Sequence, residues 1–247
     1  TITRSKSDYN NKFLFFSIMR NVIKYIYRYL LYLLGFISQV IPMGSLFYTI
    51  EDTPSLEKDS NQYLIDSLKE SKFYLEYGSG GSTVLASKLG INYITIDTDL
   101  LFLNAVKQKV NQIGYKNLSK QTYLHKNIGP TSRWGHPLFP ETRKQSLLSK
   151  FKNYSDPKFF MRDKPDLIMI DGRFRVATLL RMYDFLKSYS GWQVLFDDFF
   201  SREDYKIVSK FFLIDERIGR LAVIKNVVSC NPDELNDAIN KYILNPY

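Results

Sequence analysis

Cysteine is almost absent. With Cys230 alone among 247 residues, no intrachain disulfide and no cysteine-based zinc site can form, and a reducing, cytoplasmic setting is the simplest one. Acidic residues are scarce at one end: residues 1–28 hold Arg4, Lys6, Lys12, Arg20, Lys24 and Arg28 against Asp8 alone. Beyond Arg28 acids and bases nearly balance, so most of the +9 net charge belongs to an N-terminal arm. The main domain therefore lacks the basic groove that nucleic acid requires, and nucleic-acid binding is disfavoured. Internal repeats and low-complexity tracts are also missing. Apolar residues make up 45% and charged residues 24%, which excludes a disordered chain or a multi-span membrane protein.

The arm, residues 1–50, contains FLFFSIMRNVIKYIYRYLLYLL from Phe13 to Leu34. Arg20, Lys24 and Arg28 recur every four residues and share one stripe of a helix, with aliphatic and aromatic groups around the rest. Such a helix suits peripheral contact with an anionic membrane surface through residues 13–34, its basic stems reaching the headgroups. Packing on the domain or on a twin subunit is the plainer alternative, and it keeps a homo-oligomer open. A true span ranks third. Although the stretch from Tyr29 to Ile50 is uncharged, its mostly apolar part, Leu30 to Ile41, falls short of the ~20 residues a bilayer needs. No small-residue cleavage site follows the apolar run, which argues against a signal peptide. A peripheral position at the inner face of a membrane is the expectation.

From Glu51 to Tyr247 short apolar runs alternate with helical patterns, as in an α/β domain with a doubly wound sheet. Thr53 or Ser55 is expected to cap a helix running to Lys69. Strands are expected at 73–77, 92–97, 122–128, 166–171 and 192–198. Helices are expected at 82–89, 100–113, near 141–153, at 176–189, near 202–211 and, after the Asn231–Pro232 cap, to 244. FLIDERIGRLAVIKNV, turning near Gly219, predicts a closing antiparallel hairpin, for about seven strands in all.

The turn GSGG follows the first strand directly. Glycines there let the backbone approach a ligand, and the next helix offers its positive N-terminus. Asp97 ends the second strand, about 20 residues beyond Gly78, where a doubly wound fold places a carboxylate for ribose hydroxyls. Position 83 is Thr where a dinucleotide fingerprint has its third glycine, and Glu76 stands two positions before the turn. That acid suits a cationic ligand better than a pyrophosphate, so an NAD-dependent oxidoreductase is disfavoured.

LEYGSGG, TID, LIMIDG and the hairpin together resemble a class I S-adenosylmethionine-dependent methyltransferase over roughly residues 51–228. The resemblance implies a Rossmann-like fold, with Glu76, Gly78, Ser79, Gly80, Gly81 and Asp97 binding S-adenosylmethionine. Ser82 departs from the pattern, since many members have glycine there. IDGRFR followed by FDDFFSREDY looks most like the small-molecule and sugar O-methyltransferase branch, in which strand-end acids hold a divalent cation. By that resemblance Asp171, Asp197 and Asp198 are the candidates for Mg²⁺ or another divalent metal, and Asp171 and Asp198 for catalysis. Helix capping, or pairing with Arg173 and Arg175, is the alternative reading of these acids.

Residues 129–165 form a proline-rich insertion at the carboxyl edge, the position from which loops select substrates. Arg133, Trp134, His136 and Arg173 are the candidate acceptor-binding residues, Trp for stacking on a sugar face and Arg for gripping an anion. His125 lies in an apolar strand pattern and reads as structural. The function expected is O-methylation of a sugar or other small polar acceptor, glycolipid or capsule-related, with metal assistance. The competing class is a noncatalytic scaffold within a membrane-associated polysaccharide assembly.

Overall fold

The computed structural model describes residues 3–114, 121–138, 145–160 and 162–247, with side chains from Phe13 onward. A long helix α1 (Thr3–Ile37) leads through a 3₁₀ turn at Gly44–Leu46 to α2 (Lys58–Glu70). Then follow β1 (Phe73–Tyr77), α3 (Gly81–Lys88), β2 (Asn92–Asp97), α4 (Leu100–Ile113) and β3 (Gln121–His125). After the insertion, which contains α5 (Leu148–Tyr154), come β4 (Leu167–Ile170), α6 (Arg175–Arg181), α7 (Tyr183–Lys187) and β5 (Gln193–Phe196). A 3₁₀ segment (Glu203–Lys210), the hairpin β6 (Phe212–Ile218) and β7 (Leu221–Val227), and α8 (Pro232–Tyr242) complete the chain.

The strands form one sheet in the order β3-β2-β1-β4-β5-β7-β6. β1 to β5 are parallel, whereas β7 runs antiparallel to β5 and to β6. This is the Rossmann-like sheet with a closing hairpin that the sequence predicts. The order reverses between β1 and β4, and a cleft opens at such a switch point because the two following connections leave toward opposite faces. β1, β2 and β4 are mostly apolar and buried on both sides, as parallel strands covered by helices must be. One core lies on the face of α6, α7 and α8, around Ile168, Ile170, Phe174, Leu179 and Phe196. A smaller one lies on the face of α2 and α3, around Leu64, Tyr74, Tyr93, Met169 and Leu195.

Several boundaries differ from the expectation, each for a local reason. β3 stops at His125 because its partner β2 ends at Asp97, the residue opposite. β5 stops at Phe196, its last residue paired with β7, and the chain turns at Asp198 with a φ of 61°. α2 starts late: its N-cap is Glu57, which makes no side-chain cap bond, so neither Thr53 nor Ser55 caps it. There the chain is drawn over α3 instead, tied by Asp52 to Lys88 and Lys109 at 2.7 Å each. The helix expected at 176–189 is divided at Met182 into α6 and α7. The segment expected near 202–211 is a 3₁₀ helix. Of the helix expected at 141–153, residues 141–144 lie outside the described residues, and the rest is a 3₁₀ turn followed by α5.

The second half of α1 docks on the domain. Leu31 is buried, Asn104 on α4 donates to Ser38 Oγ at 2.7 Å, and Asn127 donates to the Tyr32 hydroxyl at 3.0 Å. Gly35 makes this a close crossing, since a Cβ there would lie 3.2 Å from the Leu101 amide nitrogen. Among the described residues no helix is long and apolar enough to cross a membrane.

Ile168 lies at the centre of β4, fully buried. Ile168→Ala is expected to cost about 2–5 kcal/mol of unfolding free energy, from lost transfer energy plus the cavity left behind. Urea denaturation followed by far-UV circular dichroism measures it.

Candidate functional site

The turn after β1 is built on a buried carboxylate. Glu76 is wholly inaccessible, and its two oxygens accept from the hydroxyls of Ser82, Thr83 (2.5 Å), Thr95 (2.9 Å) and Tyr74 (3.2 Å). Thr83 Oγ1 also accepts from the Gly80 amide at 3.0 Å, joining the turn to the first helical residues of α3. Glu76 thus props the loop from beneath. Its carboxylate is committed to these hydroxyls and is wholly buried. Burial raises its pKa to about 7, the hydroxyl donors opposing the rise.

Above this support the turn divides by function. Gly78 has a φ of 97°, and a Cβ there would lie 2.9 Å from the Asp171 carbonyl carbon, so the loop after β4 presses directly on it. Gly81 is equally closed: its Cβ would overlap the Thr53 carbonyl. Gly80 faces open space, with nothing within 4 Å of a Cβ placed there. Asp97 lies alongside, nearly buried, accepting from the Ser79 amide (2.9 Å), the Ser79 hydroxyl (2.7 Å) and the Asp99 amide (2.9 Å). Burial raises its pKa against these bonds. Asp99 caps α4 through the Phe102 amide and accepts from the Tyr48 hydroxyl, so it is committed locally. An open glycine at a helix N-terminus beside a carboxylate fits an amino-acid group and a ribose.

The strand-end acids of β4 and β5 converge as expected, but around a guanidinium. Arg175, 5% exposed, reaches Asp171 Oδ1 at 2.7 Å, Asp198 Oδ2 at 3.1 Å and Asp197 Oδ2 at 3.5 Å. It also donates to the backbone carbonyls of Gly172 (3.0 Å), Asp197 (2.9 Å) and Asp171 (3.2 Å). Arg220 joins Asp197 at 3.0 Å and Asp198 at 3.2 Å, and Arg202 joins Asp198 at 3.0 Å. The oxygens expected to hold a divalent metal are already paired with fixed cations. Among the described residues no cluster of His, Cys, Asp or Glu offers a metal site, and this donor set does not fit one. Burial and the neighbouring Asp197 and Asp198 push the Asp171 pKa up, opposed by Arg175. Since 39% of the Asp171 side chain remains exposed, water limits that rise.

The acceptor candidates separate. Trp134 is 80% exposed with a φ of 61°, so it does not anchor the loop, and Arg133 is exposed beside it. His136 turns inward, its ring 4.9 Å from that of Tyr247, and its Nε2 lies 2.8 Å from Arg173 Nη1. Partial burial, then Arg173, lowers the His136 pKa to about 4, so the ring is neutral at pH 7 and accepts from the guanidinium. Arg173 makes no ion pair among the described residues, and its buried Nε has no hydrogen-bond partner there. His125 packs against Phe36 and lies 3.3 Å from the Thr98 carbonyl, a structural position. Sequence reasoning missed Arg220 and the hydroxyl ladder on Glu76. The four-residue spacings Asp171–Arg175 and Asp198–Arg202 were the available signal for the ion pairs.

The fold has known counterparts. A methyltransferase-like protein from Silicibacter pomeroyi superposes with a TM-score of 0.65 at 25% identity, covering 79% of this chain and 100% of that one. The chain has the class I methyltransferase fold. An O-methyltransferase from Bacillus cereus, solved with S-adenosylhomocysteine, aligns at 10% identity and a TM-score of 0.39, covering 84% of this chain and 81% of its own. A methyltransferase of Podospora anserina, also solved with S-adenosylhomocysteine, aligns at 12% and 0.39, covering 82% and 72%. No family model matches the chain, and no curated protein is significantly similar to it.

Glu76 gives this methyltransferase-fold domain a pH dependence. Its folded-state pKa of about 7 lies above the usual 4.5, so the folded protein retains a proton that the unfolded chain releases over that interval. Stability from this group is full below pH 4.5 and falls as pH rises toward 7. Between pH 5 and 8 the wild type should lose about 1–3 kcal/mol more than Glu76→Gln, which cannot ionise. Urea titrations across that range read the difference.

Proposed function

We propose that this chain is an S-adenosylmethionine-dependent O-methyltransferase acting on a sugar or other small polar acceptor next to an anionic membrane surface. The observation that carries the reading is the open glycine turn at the switch point between β1 and β4, with Asp97 at its side. Gly78 to Gly81 and the N-terminus of α3 would receive the amino-acid part of the cofactor, and Asp97 its ribose. The cofactor supplies an electrophilic methyl group on a sulfonium. Transfer breaks the sulfur–carbon bond, forms the oxygen–carbon bond and releases the hydroxyl proton, so the protein must align the acceptor and take that proton.

Asp171 is the better placed of the two candidate bases. It holds one guanidinium and keeps an exposed side, whereas Asp198 is shared among Arg175, Arg202 and Arg220. Arg173 and neutral His136 at the same edge can both donate to a polyhydroxylated acceptor, the acceptor nitrogen of His136 being taken by Arg173. Arg133 and Trp134 stand at the rim, where an indole face can meet a sugar ring. Metal assistance has no part in this reading, because the acids a metal would use are paired with arginines.

The membrane part rests on the geometry of α1. At about 100° per residue, Phe15, Met19, Val22, Ile26, Leu33 and Ile37 lie on the side opposite Leu31, Gly35 and Ser38, which dock on the domain. All six are exposed. With Leu14, Phe16, Ile18, Ile23 and Leu30 the apolar arc covers roughly half the helix circumference or more, wider than the narrow seam of a two-stranded coiled coil. Arg20, Lys24 and Arg28 supply the cationic face, and no acid occurs between Asp8 and Glu51. Both features favour a lipid surface.

Two measurements test the proposal. Calorimetric titration should give micromolar binding of S-adenosylmethionine and S-adenosylhomocysteine and none of NAD. Asp97→Ala should weaken binding about tenfold or more, as for a lost charged hydrogen bond. No cofactor binding by folded protein would favour the scaffold. For the arm, Val22→Glu with Ile26→Glu should reduce pelleting with phosphatidylserine-containing vesicles severalfold without changing the melting temperature. An unchanged pellet, or a dimer that these changes convert to monomer, would overturn the membrane assignment.

A further inference from the structure

Three carboxylates at neighbouring strand ends are the donor set that hard divalent cations take. Here their cation is built in. Arg175 extends from the first residue of α6 and spends its guanidinium on Asp171, Asp197 and Asp198 together with three backbone carbonyls of the same strand ends. Arg220 and Arg202 complete the arrangement, giving three arginines to three aspartates. No net negative charge remains to attract a cation, and one entering between these carboxylates would meet a buried guanidinium at contact distance. We infer that the acceptor edge is metal-independent, with Arg175 as a resident cation doing the positional work of a bound metal.

That work is visible in the bonds. By joining Asp171 and Gly172 after β4 to Asp197 and Asp198 after β5, Arg175 fixes the loop that lies against Gly78, and so couples the acceptor edge to the glycine turn. A guanidinium suits this task better than an ion. It directs several bonds in one plane and never dissociates. The inference concerns the acid cluster alone and holds whether or not the domain transfers methyl groups.

Manganese is the probe, because its free aqueous ion has a paramagnetic resonance signal that binding removes. Wild-type protein at about 100 µM should leave the Mn²⁺ signal intact through the micromolar range, with a melting temperature unmoved by Mg²⁺, Mn²⁺ or chelator. Arg175→Ala, which leaves the acids undercompensated, should melt several degrees lower and bind Mn²⁺ about tenfold or more tightly than wild type, with Mn²⁺ restoring much of the lost melting temperature. If that variant is insoluble both with and without Mn²⁺, Arg175→Gln replaces it, keeping an amide donor for the Gly172 carbonyl. Two results would overturn the inference. One is Mn²⁺ binding by wild type that Asp171→Asn abolishes. The other is a folded Arg175 variant that binds Mn²⁺ no better than wild type.

Discussion

Everything at the carboxyl edge depends on two backbones touching at the ends of β1 and β4. A Cβ on Gly78 would lie 2.9 Å from the Asp171 carbonyl carbon, and one on Gly172 would lie 3.0 Å from that of Tyr77. Only with no side chain on either residue can these loops cross so closely. The crossing brings the acids of β4 and β5 to the same edge as the open face at Gly80. It also fixes the order of the surrounding bonds: Tyr77 accepts from the Asp171 amide, Ile170 from the Asp197 amide, and Ile96 from the Gly78 amide. Each strand end is thereby held by the next.

Beneath that crossing, polar groups are buried under opposing electrostatic arrangements. Glu76 is surrounded by hydroxyls and carries a raised pKa, so its neutral form is tolerated and the turn needs no counter-ion. Asp197 is equally buried, at 2% exposure, but meets Arg175 and Arg220. The difference follows from position: Glu76 points into the layer between β1, β2 and α3, where Ser and Thr are its neighbours. Asp197 lies just past the end of β5, within reach of long side chains from the loop after β4 and from the hairpin. Buried pairs of this kind define an arrangement more than they stabilise it, since desolvation offsets much of their attraction.

The sheet was legible in the sequence because buried parallel strands leave continuous apolar runs and each crossover helix leaves its own period. Residues 73–77, 92–97 and the hairpin about Gly219 needed no correction, nor did the placement of Asp97 at a strand end. Boundaries set by a partner were not legible: β3 and β5 end where β2 and β7 stop pairing, and neither fact is written in the strand itself. Nor was the late start of α2 legible, where the chain before it is tied by Asp52 to Lys88 and Lys109, both far away in sequence. Side-chain direction was the other loss. The sequence pattern does not show that Glu76 is wholly buried or that Trp134 is largely exposed.

The charge pattern shows most clearly why composition and site disagree. Outside the N-terminal arm, acids and bases nearly balance, which disfavours any specialised basic surface. That balance hides a local sorting: Arg173, Arg175, Arg202 and Arg220 gather at the ends of β4 and β5, from the loop after β4, the segment after β5 and the hairpin. Three of them are spent on Asp171, Asp197 and Asp198. The fourth, Arg173, makes no ion pair among the described residues and donates to His136, whose pKa its charge helps to lower. Among the described residues, the charge left without an ion pair at this edge is one guanidinium, buried, its backbone amide donating to the Tyr154 hydroxyl at 3.0 Å. The edge thus neutralises its acids internally and keeps one guanidinium whose bonds are directed by its planar geometry.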